Sequence, residues 1–223
     1  MTTTLIVPGL NSSGSAHWQT WFESQIPDAI RVIQADWKRA NLPEWSSRVR
    51  REITRRPGPL LIAAHSFGAL AAIQAAEDHR ERIAGALLVA PADPDKFGVS
   101  DALPAGRVGF PVTIVASSND PWLNIGRAVA LAIRWGANLV DLGEAGHINA
   151  ESGYGPWPFG LTLLQQLAAG RESVGIESHS YGGELIRVSD QRVASHAAAH
   201  RPRKIADDVS GFIAEIRDAS ATA

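Results

Sequence analysis

Three residues far apart in the chain have the types and the order needed to activate a hydroxyl: Ser66, Asp120 and His147. A serine hydroxyl is a weak nucleophile until an imidazole takes its proton. A buried carboxylate fixes the imidazole tautomer and stabilises the imidazolium that forms. Such a set performs acyl transfer through a covalent acyl-serine. Each member also has an ordinary reading. Serine and aspartate are favoured helix caps, and Asp120-Pro121 is a common helix opening. His147 is equally readable as a plain loop histidine. The distinction rests on the setting of each residue.

Ser66 lies in Ala64-His65-Ser66-Phe67-Gly68, after the apolar run Leu60-Leu61-Ile62-Ala63 and before an alanine-rich helical segment. A strand, a tight turn and a helix in this succession form a nucleophile elbow, which lifts the serine hydroxyl above the sheet. Strand and helix approach closely there, so the positions two residues on either side must be small. Ala64 stands where glycine is usual, and Gly68 fills the other place. The turn puts Ser66 at a helix N-terminus, with the Phe67 N–H aimed where an oxyanion forms. A second donor is expected from the loop after the first strand, Val7-Pro8-Gly9-Leu10-Asn11. Leu10 is the first choice there and Asn11 the alternative.

The partners follow later strands. Val112–Ala116 leads into Ser117-Ser118-Asn119-Asp120-Pro121, and Asn138–Asp141 leads into the glycine-containing loop that carries His147. The order Ser, Asp, His is the one this kind of sheet uses. Asp141 and Glu144 are rival acids but sit too close to His147 in sequence. Asp93, after Val89-Ala90-Pro91, is the more serious rival.

The elements that must hold these groups are short apolar runs alternating with longer helical stretches. The strands expected are Thr4–Pro8, Arg31–Ala35, Leu60–His65, Ala84–Ala90, Val112–Ala116 and Asn138–Asp141. They are continuous apolar runs, as in parallel strands buried on both faces. Helices are expected over Ala16–Gln25, Pro43–Arg55, Gly68–His79, Ile125–Trp135 and Gly160–Ala169. The alternation implies a mostly parallel, doubly wound α/β sheet flanked by helices.

The chain has 223 residues, which suits one domain with an appendage. Its net charge of -2 gives no electrostatic case for nucleic acid or an anionic membrane. Cysteine is absent, which excludes disulfides and thiolate catalysis. No signal peptide and no membrane span are read, so the expectation is a soluble, cytoplasmic protein. Residues 1–170 form the expected catalytic domain, and 171–223 a polar extension. Within the extension a short strand is expected near Glu184–Val188. Val209, Phe212, Ile213 and Ile216 make one amphipathic helix over 205–218. That helix is expected to dock on the core or on a second subunit, giving a homo-oligomer. His196 and His200 are four apart, yet no third ligand accompanies them; no metal or cofactor is expected.

Val7-Pro8-Gly9, His17-Trp18, Asp36-Trp37, Trp45, Ala64-His65-Ser66-Phe67-Gly68, Ala90-Pro91-Ala92-Asp93, Ser117-Ser118-Asn119-Asp120-Pro121 and Gly146-His147-Ile148-Asn149 occur in that order. Together they resemble the small serine hydrolases related to retinoblastoma-binding protein 9, especially bacterial relatives, over about residues 3–170. The resemblance implies a compact α/β-hydrolase fold without a large cap domain. It implies a triad at Ser66, Asp120 and His147, favouring Asp120 over Asp93. Retinoblastoma-protein binding in that family is tied to a cysteine-containing motif, which this chain lacks. The function expected is hydrolysis of a small carboxylic ester or amide, with neither nucleic acid nor membrane as partner. An acyltransferase with the same triad and a non-catalytic binding module on the same fold are the alternatives.

Overall fold

Each apolar run in the first 141 residues that becomes a strand sends alternate side chains to opposite faces of one sheet. The computed structural model describes residues 2–170 and the short strand 184–186. The strands are β1 (Thr3–Val7), β2 (Ala29–Arg31), β3 (Leu60–His65), β4 (Ile83–Val89), β5 (Val112–Ala116), β6 (Asn138–Asp141) and β7 (Glu184–Ile186). Their order across the sheet is β2-β1-β3-β4-β5-β6-β7. The first six are mutually parallel; β7 closes the edge antiparallel to β6. The expected strand near Glu184–Val188 thus forms over three residues. The amphipathic segment 205–218 and His196 and His200 lie outside the described residues.

Among the described residues five α-helices cover the sheet: α1 (Trp18–Gln25), α2 (Leu42–Arg55), α3 (Phe67–Ala76), α4 (Ile125–Trp135) and α5 (Pro158–Ala168). Leu60, Ile62 and Ala64 of β3 join a core with α2, α3 and α4. Leu61 and Ala63 join a second core with α1 and α5. This period of two, with both faces apolar, is why the strands read as unbroken hydrophobic runs.

Local signals set the helix ends. Asn41 caps α2 by accepting the Glu44 N–H at 3.2 Å, and Pro43 occupies its first turn. Trp45, Val49 and Ile53 form its buried stripe. Asn124 caps α4, and Gly136 ends it in the left-handed conformation. Nine of the ten residues of α3 are buried, and five are alanine, so this helix lies close against the sheet and α2.

The second strand departs from expectation. Ala29–Arg31 pairs with Thr4–Ile6, whereas Arg31–Ala35 was the expected strand. Alternating burial does continue, with Val32 and Gln34 inward and Ile33 and Ala35 outward. The ladder stops because its partner stops: the Val32 N–H bonds Ile6, and β1 then turns away through Pro8-Gly9. The helix over Ile125–Trp135 forms as expected, and the boundaries of the others shift by at most three residues. The alanine-rich helix ends at Ala76 and tightens into a 3-10 turn through Arg82, with His79 out of helical geometry.

Candidate active site

The turn between β3 and α3 has the geometry its residue sizes demand. Ser66 has φ 53° and ψ −128°, a conformation that costs a non-glycine residue about 1–3 kcal/mol. The close approach of two neighbouring segments explains the small residues. A Cβ on Gly68 would lie 2.2 Å from the Pro8 carbonyl oxygen, and one on Gly9 2.7 Å from the Ser66 Cβ. The loop after β1 is therefore pressed directly against the Ser66 turn.

Three loops at the carboxyl ends of β3, β5 and β6 bring the sequence-selected side chains together. Ser66 Oγ lies 2.9 Å from His147 Nε2. His147 Nδ1 lies 3.0 and 2.9 Å from the two carboxylate oxygens of Asp120. The Asp120 side chain is almost wholly buried and that of His147 is one-eighth exposed. A second donor, the Trp122 N–H, reaches Asp120 Oδ1 at 2.8 Å. With Nδ1–H donating to the carboxylate, Nε2 is left to accept the Ser66 proton.

The rival acids are engaged elsewhere. Asp93 accepts from Arg127 Nη2 at 3.2 Å and from the Asp95 N–H. Asp141 accepts the Gly143 N–H at 2.8 Å. Of the two candidate loop donors, the Asn11 N–H is used by the Trp37 carbonyl at 2.8 Å. The Leu10 N–H makes no hydrogen bond among the described residues. Phe67 is the first residue of α3, so its N–H has no acceptor within the helix.

The chain matches the serine hydrolase family over residues 4–166. It belongs to that family. A crystal structure described as that of a YdeN-like hydrolase from Pectobacterium atrosepticum is 42% identical, with a TM-score of 0.72 over 76% of this chain and 91% of that one. The ydeN gene product of B. subtilis shares the fold at 17% identity and a TM-score of 0.64, covering 76% of this chain and 100% of its own. Est1E from Butyrivibrio proteoclasticus shares it at 13% identity and a TM-score of 0.59, covering 76% and 88%. No curated protein matches by sequence. The fold is that of an α/β hydrolase, with no large cap among the described residues.

Much of what holds this serine hydrolase's loops in place was not selected from the sequence. His65 Nε2 lies 2.9 Å from the His147 carbonyl oxygen and so carries the proton. Trp18 Nε1 donates to the next carbonyl, Ile148, at 3.0 Å. The Ser152 hydroxyl accepts the His147 N–H at 3.2 Å. These contacts hold a turn in which Ile148 has φ 47°. Asn119 Oδ1 accepts the Gly146 N–H at 2.6 Å, tying the aspartate loop to the histidine loop. Ser117 adds a contact from its hydroxyl to the Ala145 N–H at 3.0 Å. Gln19 is fully buried, and its Nε2 bridges the carbonyls of Val7 and Ala63. The sequence signals were proximity for Ser117 and Asn119, and adjacency to Ser66 for His65. Gln19 carried none, and Trp18 stood only within the His17-Trp18 motif with no role attached, because both act across long sequence separations.

Burial also sets the charge state of the inner imidazoles. His17 caps α1 by accepting the Gln19 N–H and is pulled from 6.5 to about 4 by burial, then by Arg31 and His147. His65 is lowered well below 6.5, first by burial and then by His147 and His17. Both are neutral at physiological pH, so neither adds a positive charge beside the His147 loop.

Proposed function

We propose that this chain hydrolyses small carboxylic esters or amides through an acyl-Ser66 intermediate. The observation that carries the reading is the unbroken chain from Ser66 Oγ through His147 to Asp120, with both links near 2.9 Å. Ser66 Oγ attacks the substrate carbonyl carbon while its proton passes to His147 Nε2. The Phe67 and Leu10 N–H groups receive the oxyanion. His147 then gives its proton to the departing alcohol or amine as the carbonyl reforms, leaving acyl-Ser66. Water, deprotonated by His147, attacks the ester and releases the acid and Ser66. Asp120 stays ionised throughout and holds the ring. The motif resemblance supports, as part of this proposal, a relationship to retinoblastoma-binding protein 9 within the serine hydrolase family.

Labelling with a fluorophosphonate probe, alongside hydrolysis of short-chain esters, tests the proposal. Wild type is expected to label and turn over, and Ser66→Ala and His147→Ala to do neither. Folded wild-type protein that takes no label would overturn it.

A further inference from the structure

Trp122 is out of keeping with the other tryptophans of this domain. Trp18, Trp45 and Trp135 are at most 1% exposed, whereas Trp122 is 47% exposed. Ile33, on the far side of β2 in sequence terms, is the other large apolar side chain standing out among the described residues. Exposure of an indole forfeits the burial energy that fixes its neighbours in the core. Its backbone is nonetheless held from both directions. The N–H donates to Asp120 Oδ1 at 2.8 Å, and the carbonyl accepts from Lys96 Nζ at 3.2 Å. Lys96 also bonds the Pro121 carbonyl at 2.9 Å. The ring lies on a pinned backbone with its centroid 6.3 Å from that of His147 and inclined at 51°, and among the described residues its remaining surface stands open as an apolar platform.

We propose that Trp122 is a specificity-determining residue that stacks on an aromatic leaving group. The inference rests on the hydrolase reading above. There, His147 Nε2 must deliver its proton to the leaving oxygen or nitrogen, so the leaving group passes beside the imidazole. The nearest exposed ring to that path is Trp122. Aromatic rings pair at centroid separations of about 4.5–7 Å, and an indole offers more stacking area than any other side chain. The substrate class favoured is therefore an aryl-bearing alcohol or amine joined to a small acyl group.

Benzyl and butyl acetate test this, because they share the acyl group and both leave as primary alcohols. Trp122→Ala is expected to lower kcat/KM for benzyl acetate about fivefold to tenfold, in the upper part of the range for one lost aromatic pair, and that for butyl acetate less than twofold. Trp122→Phe is expected to restore most of the benzyl preference. Equal losses on the two esters would overturn the proposal, as would a selective loss that follows the acyl group when methyl benzoate is compared with methyl butyrate. Titration of the unreacted protein with benzyl alcohol separates this from failure of the hydrolase reading. The Trp122 indole N–H signal, assigned by its absence in Trp122→Ala, is expected to shift on titration whether or not the protein turns over esters. An unmoved signal at saturating benzyl alcohol rejects the platform by itself.

Discussion

On the side covered by α2, α3 and α4, the sheet meets aliphatic, alanine and aromatic side chains almost without interruption. Trp37, Trp45, Phe67 and Phe97 form a run of ring contacts there, with centroids 5.0–5.7 Å apart. The side covered by α1 and α5 is smaller and is threaded with polar groups: His17, Gln19, His65 and the Trp18 indole N–H. The two residues flanking Ser66 divide between these regions. His65 continues the parity of Leu61 and Ala63 toward the polar side, and Phe67 enters the apolar one. The lesson is a division of labour. The apolar side supplies most of the burial that keeps the strained turn folded. The polar side supplies directional bonds that fix the His147 loop, and hydrogen bonds fix position where packing alone does not.

The seam between the two sides carries the largest expected effect. Asp120→Asn keeps the shape but presents the wrong group to His147 Nδ1, and kcat is expected to fall about 10⁴-fold with the melting temperature little changed. A fall under tenfold would shift the acid's role to another residue.

Next is the apolar side. Trp45 is 1% exposed and touches Phe67 at 5.2 Å between centroids. Trp45→Ala is expected to cost about 3–5 kcal/mol in urea unfolding. Below its melting range, its kcat is expected to stay within a few-fold of wild type. A large loss of kcat in the folded variant would break the division of labour.

The polar side should make stability fall in acid. The folded chain holds His17 neutral down to about pH 4, while the unfolded chain takes a proton below about 6.5. Its contribution is therefore complete above pH 6.5 and is lost as pH falls toward 4, on the order of 3 kcal/mol. His17→Asn keeps a cap for α1 and removes the titration. The drop in melting temperature between pH 6.5 and 4 is expected to shrink in this variant, with His65 supplying the remainder. An unchanged slope would remove His17 from the account.

The smallest effect expected is at His65. Its substitution by alanine removes the donor to the His147 carbonyl and is expected to lower kcat about tenfold with KM unchanged, as a displaced base does. His65→Gln is expected to recover part of that loss, since an amide also donates. Equal losses in both variants would make His65 a packing residue only.

The strand-turn-helix around Ser66, the placing of Asp120 and His147 after later strands, and the mostly parallel sheet were legible in the sequence. Each is a local pattern: a short apolar run, a small-residue turn, a polar group after a strand. The end of β2 was misplaced because the run over residues 31–35 continues after β1 has turned at Pro8-Gly9 and left it without a partner. Pairing is a property of two segments, and the sequence of one does not disclose where the other leaves. The same reason hid Gln19 and the role of Trp18, whose partners lie 12, 44 and 130 residues away.

By itself the sequence determined which residues had the chemistry to react and which strands would carry them, because residue type and local periodicity are intrinsic to the chain. Tertiary structure alone decided that Asp93 goes to Arg127 while Asp120 reaches His147. It also decided that the Asn11 N–H is spent on Trp37 and that Trp122 stands open beside the imidazole. Those outcomes depend on distances between loops at the ends of different strands, and such distances exist only once the sheet has assembled.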